Sequence, residues 1–231
     1  MSALVKSVVM ERDARALKIS KTMKWRKINN FSAWMEKQKI EGKIPDDYPA
    51  LPYSPELAEY IGVVLGDGHI AKFPRTERIT ISCNSANQGF IDRYALLTKN
   101  LFKKDPTVEK VKNVNNVRIH LYQKYISKRL GIPSGNRKEL DFKAPQWIVD
   151  DKDCLIGFLR GLFEAEGSLS IHLPTCTYNF QFCNYNPSLL SAVENGLISL
   201  GYHPEVRKKY IRLRKKAEVA SFRDLIKFRV Y

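Results

Sequence analysis

Several short segments alternate apolar and polar residues with a period of two, the pattern of a β-strand that is buried on one face. The clearest are Arg78 to Cys83, Val117 to Tyr122 and Tyr210 to Arg214. We predict that the apolar residues of these strands face a layer of helices. The residues predicted to face inward are Ile79, Ile81, Val117, Ile119, Leu121, Leu169, Ile171, Phe180, Phe182, Ile211 and Leu213.

The polar residues of the same strands carry bases, amides, hydroxyls and imidazoles but no acid. A solvated sheet face usually mixes Asp and Glu with Lys and Arg, so this pattern favours contact with nucleic acid. The outward residues are Arg78, Thr80, Ser82, Arg118, His120, Tyr122, His172, Asn179, Gln181, Arg212 and Arg214. The segments His69 to Phe73 and Val108 to Val114 alternate poorly, and no face is assigned to them.

An internal repeat constrains the architecture further. The sequence around Gly62, LAEYIGVVLGDGHI, resembles the sequence around Gly161, IGFLRGLFEAEGSLSI, at a spacing of 99 residues. Downstream, the alignment pairs Cys83 with Cys183, Asn84 with Asn184 and Leu97 with Leu197, at a spacing of 100. Each copy predicts the element order αββαββα, so we expect an α+β protein with two repeats related by a pseudo-twofold axis and two antiparallel sheets.

The repeat divides the chain into four predicted parts: an N-terminal basic extension (1–54), a first unit (55–130), a linker rich in Gly, Pro and polar residues (131–152) and a second unit (153–231). The extension predicts a helix near Asn30 to Lys39, a basic run from Lys21 to Lys27 and a proline-rich approach to Pro55. Its Lys and Arg residues either add DNA contacts or only add solubility, and the sequence leaves both open.

Each unit begins with an unusual helix, Pro55 to Asp67 and Asp153 to Glu166, which we expect to end at a turn containing glycine. Small residues four positions apart line one face of each helix: Gly62 with Gly66, and Gly161 with Ala165. Glycine inside a helix costs about 1 kcal/mol relative to alanine, so close packing is expected to compensate. We predict that the two helices pack against each other.

Both helices end with an acid followed by glycine, Asp67–Gly68 and Glu166–Gly167. The partial negative charge of a helix C-terminus disfavours a carboxylate there by a few tenths to about 1 kcal/mol. If the helices pair, the two acids also repel each other. A divalent cation would relieve both penalties, because Mg²⁺ binds carboxylate, carbonyl and water oxygens.

The composition agrees with a polyanionic partner. The chain has 39 Lys and Arg against 24 Asp and Glu, a formal net charge of +15, which indicates nucleic acid or an anionic membrane. No apolar run reaches the roughly 18 residues of a membrane span, and no secretion signal is visible, so we expect a cytoplasmic protein, or one of an organellar matrix, that is neither secreted nor membrane-bound. The four cysteines, without paired metal-ligand spacing, are interpreted as small buried apolar residues, and the scattered histidines predict no zinc site.

The two motif helices closely resemble the LAGLIDADG family. YIGVVLGDG, from Tyr60 to Gly68, and LRGLFEAEG, from Leu159 to Gly167, stand where that family has its nine-residue motif. The resemblance extends from Pro55 to the C-terminus, and two motifs at this spacing with matching strands behind them are a specific signal. The linker also looks like the segment that joins the two halves in intein- and intron-encoded relatives.

The resemblance implies a monomeric, intron-encoded, magnesium-dependent homing endonuclease whose two sheets form a saddle in the DNA major groove. Asp67 and Glu166 would be catalytic and would bind Mg²⁺, or another divalent ion such as Mn²⁺ or Ca²⁺, with the main-chain carbonyls of Gly66 and Ala165. The outward strand residues would contact base edges and phosphates of a long, pseudo-palindromic double-stranded target. The product would be a double-strand break with short 3′ overhangs, and the chain's own intron RNA is a further expected partner.

One feature departs from the family pattern. Many active relatives place Lys or Gln near the end of the second strand of each unit, where this chain has Cys83, Asn84, Asn184 and Tyr185. Asn184 is a candidate for orienting water. A cation near the metal would have to come from elsewhere, and the candidates are Lys124, Lys215 and Lys216.

The main alternative is a protein of the same fold that binds without cutting, as an RNA maturase or a DNA-binding regulator. Non-cleaving relatives often lose a motif acid, whereas this chain retains Asp67 and Glu166, which favours cleavage. Maturase activity is compatible with an intact site. We do not expect an intein, because residue 1 is neither Cys nor Ser and the chain does not end in His-Asn. A basic nucleic-acid-binding protein without a defined site would leave the paired helices unexplained.

Overall fold

The computed structural model describes residues 3–26, 30–43, 47–136 and 140–231. The chain forms two compact units, Met1–Tyr48 and Pro49–Tyr231. The predicted basic run, proline-rich approach and linker each lie partly outside the described residues. The four-part division of the chain, with its exact boundaries, stays a prediction.

The compact unit Met1–Tyr48 contains the helices α1 (Ala3–Trp25) and α2 (Asn30–Ile40). The predicted helix near Asn30 is present as α2. The sequence analysis missed α1, whose apolar residues are spread around the helix rather than gathered on one face. None of the described helices, α1 included, is both long and apolar enough to cross a membrane.

The compact unit Pro49–Tyr231 contains the element order αββαββα twice, as predicted. The first repeat consists of α3 (Pro55–Asp67), β1 (Gly68–Lys72), β2 (Glu77–Asn84), α4 (Gln88–Phe102), β3 (Thr107–Lys110), β4 (Asn116–Gln123) and α5 (Ile126–Leu130). After a short helix α6 (Gln146–Asp150), the second repeat consists of α7 (Lys152–Glu166), β5 (Gly167–His172), β6 (Thr177–Cys183), α8 (Pro187–Ser199), β7 (Glu205–Arg207), β8 (Tyr210–Leu213) and α9 (Lys216–Leu225).

Side-chain caps fix the starts of the helices that carry the repeats. Ser54 Oγ accepts a hydrogen bond from the Leu57 N–H at the start of α3, and the Asp151 carboxylate accepts one from the Cys154 N–H at the start of α7. Asn87 and Asn186 cap α4 and α8 in the same way. Such caps typically contribute about 1 kcal/mol each, and they set the first residue of each helix.

The two sheets have the same order, β1-β2-β4-β3 and β5-β6-β8-β7, and all their neighbouring strands are antiparallel. Gly68 pairs with Ile81, and the equivalent Gly167 pairs with Phe182. The spacing between equivalent residues of β2 and β6 is therefore 101, not the 100 expected from the alignment. The structural equivalent of Cys183 is Ser82, not Cys83, because the β5–β6 hairpin contains two more residues than the β1–β2 hairpin.

The apolar faces of both sheets pack against the helices as predicted, with one exception. Ile171 was expected to face inward, but 46% of it is exposed. It pairs with Tyr178, whereas β8 pairs with β6 only from Phe180 onward. The tip of the β5–β6 hairpin thus projects beyond the layer that would bury Ile171.

The expectation that all four cysteines are buried is wrong at one position. Cys154 is buried, Cys83 and Cys183 are half-buried, and Cys176 is exposed. Cys176 has a φ of 49° in the short turn between β5 and β6, where the chain reverses at the projecting tip of the hairpin. All four are free thiols.

Candidate functional site

Helices α3 and α7 pack against each other along most of their lengths, as the small residues predicted. A Cβ added to Gly161 would overlap the main-chain oxygen of Glu59 and lie 2.7 Å from the Val63 nitrogen. A Cβ added to Gly62 would overlap the Phe158 oxygen and lie 2.9 Å from the Leu162 nitrogen. The two backbones are therefore in direct contact, which only glycine permits at these positions.

The end of each helix leads directly into a strand, without the predicted glycine-containing turn. Gly68 and Gly167 have extended backbone, with φ of −93° and −84°, and begin β1 and β5. Glycine is needed there for space: a Cβ on Gly68 would lie 2.5 Å from the Val64 Cα, and one on Gly167 would lie 2.9 Å from the Phe163 Cα. The acids before them are thereby held between a helix end and a sheet.

The two acids, Asp67 and Glu166, are close enough to influence each other. Burial, and secondarily the negative charge of Glu166, raises the pKa of Asp67 to about 7. Burial also raises the pKa of Glu166. On the same side, Gly66 faces Ala165, and a Cβ on Gly66 would lie 3.2 Å from the Glu166 Cγ. Two half-buried carboxylates thus lie near each other at the paired helix ends, where a cation would stabilise their ionised forms.

This carboxylate pair supplies only part of a metal-ion coordination sphere. Within the described parts of the chain, no group of three or more His, Cys, Asp or Glu side chains is arranged to hold a metal ion. Proteins usually bind Mg²⁺ through one or two carboxylates, while substrate phosphate and water fill the other positions.

A buried ion network, missed by the sequence analysis, joins the other ends of the motif helices. Glu59, which is 3% exposed, accepts hydrogen bonds from Arg93 Nε at 2.6 Å and from the Tyr94 hydroxyl at 3.2 Å. Arg160 Nε on α7 lies 3.5 Å from the same carboxylate. The sequence signal was a charged residue within the apolar part of each helix, Glu59 just before the first motif and Arg160 inside the second. Because this carboxylate is already paired with arginine, it is not available as a metal ligand.

A cavity of about 1310 Å³ lies beside Glu166, between the two halves. His69 of β1 contributes one wall, and the segment containing Gly135 contributes another, where the Gly135 N–H donates to the Ile70 carbonyl. The second half contributes polar and aromatic residues. These residues include Cys183, Asn184, Tyr185, Lys209 and Tyr210.

One predicted accessory residue, Asn184, lines the same cavity as Glu166, together with an unpredicted cation, Lys209. Asn184 Oδ1 accepts the Asn186 N–H, and Asn184 N–H donates to the Lys209 carbonyl. Lys209 Nζ lies 4.7 Å from the centre of the exposed Tyr185 ring. The β7–β8 turn therefore places a lysine in the lining of the cavity that Glu166 also borders.

The strand register does not bring the three predicted lysines to this place. Lys124 follows Gln123, which pairs with Glu77 on β2. Gly68, the residue after Asp67, pairs with Ile81 on the same strand. Glu77 and Ile81 are four residues, or about 13 Å, apart along β2. Lys215 pairs with Glu218 at 3.1 Å, and Lys216 lies over the Tyr178 ring near the hairpin tip. Lys209, by contrast, lines the cavity that Glu166 borders.

The outer face of the first sheet is concave and lines a second cavity, of about 390 Å³. All six outward residues predicted in this sheet line it: Arg78, Thr80, Ser82, Arg118, His120 and Tyr122.

Two residues of the first sheet that the sequence analysis missed, His69 and Glu109, also line this face. His69 borders both cavities, so the polar surface continues from the carboxylate pair onto this sheet. Arg78 Nε and Thr80 Oγ1 are buried without a hydrogen-bond partner in the described structure.

The outer face of the second sheet carries an acid that the sequence analysis did not assign. The predicted residues Asn179 and Gln181 are neighbours, with the Asn179 amide donating to Gln181 Oε1 at 3.1 Å. Arg212 donates to Glu205 on β7, and Arg214 lies within 4.0 Å of the same carboxylate. His172 lies apart from them in the projecting hairpin, where its Nδ1 contacts Thr175 Oγ1. Strand β7 was too short to show an alternating pattern, which is why Glu205 was missed.

Solved structures with this arrangement include the homing endonuclease I-DmoI in complex with DNA and Mn. The two share 19% sequence identity at a TM-score of 0.53, covering 74% of this chain and 96% of that one. The N-terminal LAGLIDADG domain of DUF199/WhiA matches with 18% identity and a TM-score of 0.51, covering 78% of this chain and 86% of that one. The chain has the LAGLIDADG fold. Its α3 and α7 are the paired LAGLIDADG helices.

The metals found with the same neighbour agree with the chemistry of the carboxylate pair. I-DmoI structures with this LAGLIDADG fold also include a complex with DNA and Ca and a variant bound to its target DNA in the presence of Mg. These are hard divalent cations with oxygen ligands. At this level of identity the likeness shows the fold, and the roles of individual residues are argued from the geometry above.

Two proteins of Methanocaldococcus jannaschii resemble parts of the LAGLIDADG chain in sequence. One is glutamine–fructose-6-phosphate aminotransferase (isomerizing), 26% identical over 141 residues, or 60% of this chain. The other is the replication factor C small subunit, 31% identical over 124 residues, or 52% of this chain. The chain spans 12% and 6% of their lengths, so neither name describes what the shared segment does. No family model matches the sequence.

Proposed function

We propose that this chain is a site-specific double-stranded DNA endonuclease that hydrolyses one phosphodiester in each strand and leaves short 3′ overhangs. The observation that carries the proposal is the pair of half-buried acids, Asp67 and Glu166, at the paired helix ends. Burial raises the pKa of both carboxyl groups. Two neighbouring carboxylates at this place are unfavourable unless another group offsets their negative charge. A divalent cation does so, because it binds carboxylate oxygens.

Asp67 and Glu166 would hold the metal, with the main-chain carbonyls of Gly66 and Ala165 as further oxygen ligands. When bound, Mg²⁺ supplies a Lewis acid that lowers the pKa of the attacking water and stabilises charge on the phosphate and the leaving oxygen. The acids come from different halves of the pseudo-twofold structure, so we assign one to each DNA strand. The buried helix seam excludes water from one side of the pair.

The outer faces of the two sheets would bind and orient the duplex. Arginine, amide and hydroxyl groups on these faces match the donors and acceptors of base edges and phosphates. Equivalent positions of the two faces carry different residues: Thr107 is opposite His120 in the first sheet, and Glu205 is opposite Arg212 in the second. We therefore propose that one copy of the chain reads an asymmetric, pseudo-palindromic site.

A Mg²⁺-dependent cleavage selection on a randomised duplex library tests this proposal. We expect a single long consensus to be cut in both strands, with no cutting in EDTA. The alternative is an RNA maturase or a DNA-binding protein of the same fold that binds without cleaving. Enrichment of a bound sequence that is never cut would support that alternative, and no enrichment at all would contradict both.

Replacing Lys209 by Met should slow cleavage about 10- to 100-fold, because its ammonium group would stabilise negative charge on a phosphate near Glu166. Binding in Ca²⁺ should weaken by much less, since Lys209 neutralises only one phosphate. Single-turnover rates and filter-binding affinities measure the two effects. Lys215→Met is the matched control and should leave the rate unchanged. Equal rate losses in both variants would show that the charge acts only at long range.

A further inference from the structure

On the outer face of the second sheet, Glu205 is surrounded by three arginines. Arg212 donates from Nε to Glu205 Oε2 at 2.8 Å and from Nη2 to Oε1 at 2.9 Å. Arg207 Nε donates to Oε1 at 2.8 Å, and Arg214 Nη1 lies 4.0 Å from Oε2. The hydrogen bonds from Arg212, followed by those from Arg207, hold the pKa of Glu205 at about 2. The carboxylate is therefore ionised at any pH at which the protein would work.

This contact fixes the orientation of Arg212. A guanidinium has five N–H groups in one plane, and the bond pair to Glu205 uses the edge formed by Nε and Nη2. The edge formed by Nη1 and the second hydrogen of Nη2 is left for a ligand. The guanidinium carbon lies 5.3 Å from the centre of the Tyr210 ring, which restricts the side chain from a second direction. The free edge is thus presented from a restrained side chain.

The first sheet has no equivalent restraint among its described residues. The register position of Glu205 and Arg212 is taken there by Thr107 and His120. Glu109 is opposite Arg118, two residues further along each strand, and the described structure shows no hydrogen bond or ion pair between them. A carboxylate that reduces the positive charge of the proposed DNA-binding face is therefore placed opposite an arginine in the second sheet, and of the three arginines around it Arg212 makes the contact through both carboxylate oxygens.

An acid on such a face weakens attraction to DNA, so its presence needs a compensating gain. Unrestrained arginines on a DNA-binding surface contact phosphates, which carry no sequence information. An arginine presenting two N–H groups in a fixed plane matches the O6 and N7 acceptors of guanine, the most common specific contact in the major groove. Specificity commonly rises when a repulsive element penalises the wrong contacts.

We propose that Glu205 is a positioning residue that holds Arg212 to read a guanine in one half of the target and keeps it from phosphates. This inference rests on the proposed DNA-binding function. It assigns to Glu205 a gain in sequence discrimination obtained at the expense of total affinity.

The test compares binding of a randomised duplex library, in EDTA, by the wild-type chain, Glu205→Gln, Arg212→Met and the double variant. In Glu205→Gln, discrimination for guanine at one position should fall about tenfold. Affinity for random-sequence duplex should rise, with a salt slope steeper by about one unit. Arg212→Met should lose the same preference, and Glu205→Gln should then cause no further loss.

Glu109→Gln is the matched control, because it removes the same charge from the other sheet. It should raise non-specific affinity but leave the guanine preference intact. Glu205→Asp keeps the charge on a shorter side chain, so it should keep non-specific affinity low while losing much of the discrimination. It also provides a second variant in case Glu205→Gln does not fold.

Two results would overturn the proposal. In the first, Glu205→Gln and Glu205→Asp both keep the guanine preference of the wild-type chain. In the second, Glu205→Gln lowers the guanine preference by the same factor in the Arg212→Met background as in the wild-type chain. Neither result touches the proposed endonuclease, whose failure would appear separately as the absence of Mg²⁺-dependent cutting of the sequence that the wild-type chain prefers.

Discussion

Asp67→Asn and Glu166→Gln should each reduce double-strand cleavage by about a thousandfold or more. Each removes one of the two carboxylates proposed to hold the cation, and the metal is expected to supply several kcal/mol of transition-state stabilisation. DNA affinity should change by less than about threefold, because neither acid lies on an outer sheet face. The measurements are plasmid linearisation under single-turnover conditions and binding in Ca²⁺. Wild-type cutting by both variants would contradict the metal assignment.

The same substitution at Asp67 should stabilise the protein in the absence of metal. Ionised Asp67 is penalised by burial and by Glu166, which raise its pKa from 3.8 to about 7. The acid therefore favours the folded state below about pH 4, and this contribution is lost as pH rises through about 7. In EDTA at pH 8 we expect Asp67→Asn to raise the free energy of unfolding by about 1–3 kcal/mol.

Thermal melting in EDTA and in Mg²⁺ gives a readout of this site that does not depend on cleavage. Added Mg²⁺ should raise the Tm of the wild-type chain, because the ion binds only the folded state, and should have little effect on Asp67→Asn. The advantage of the variant in EDTA should shrink between pH 8 and pH 5. If Mg²⁺ stabilised both proteins equally, the cation would have to bind elsewhere.

Gly161→Ala should destabilise the protein by about 3 kcal/mol or more and abolish cleavage. The added Cβ would overlap the Glu59 oxygen and lie 2.7 Å from the Val63 nitrogen, and both are main-chain atoms that cannot rotate away. The two helices would have to separate, with the loss of close packing along the seam. Chemical denaturation measures the stability, and plasmid cleavage reports whether the carboxylates still meet.

Gly196→Ala is the matched control, because it makes the same substitution inside a helix of the second repeat. Its Cβ would lie 3.3 Å from methyl groups of Leu155 and Leu159, which are flexible side-chain ends. The gain in helix propensity, up to about 1 kcal/mol, offsets that crowding, so the net change should be small. Similar losses in both variants would mean that the seam has no special requirement for glycine.

The accuracy of the sequence analysis differed from element to element for physical reasons. The strands containing Ile79 and Ile119 were predicted correctly, because burial on one face imposes a strict period of two. The face of Glu205 could not be assigned, because three residues of β7 are too few to show that period. Ile171 followed the pattern and was still exposed, because the pattern does not say where the covering layer ends.

Some residues of the candidate site could also be predicted from the sequence, and others could not. Asp67 and Glu166 could be singled out as acids at helix ends, and Gly62 and Gly161 as small residues that need a close neighbour. Lys209, which lines the cavity that Glu166 borders, could not be chosen from the sequence, since Lys124, Lys215 and Lys216 are also near strand ends. Only the register shows that the β7–β8 turn, with Lys209, lies at the end of the sheet nearest the carboxylates.

The sequence by itself determined the repeat, the alternating strands, the helix pair and the acids at its foot, because each is a local pattern or a similarity between two segments. Only the tertiary structure decided which charges neutralise each other, as Arg93 and Glu59 do in the core and Arg212 and Glu205 do on the sheet. Such pairs form between residues on different elements. Their energies depend on distance and burial, which are set when the elements pack.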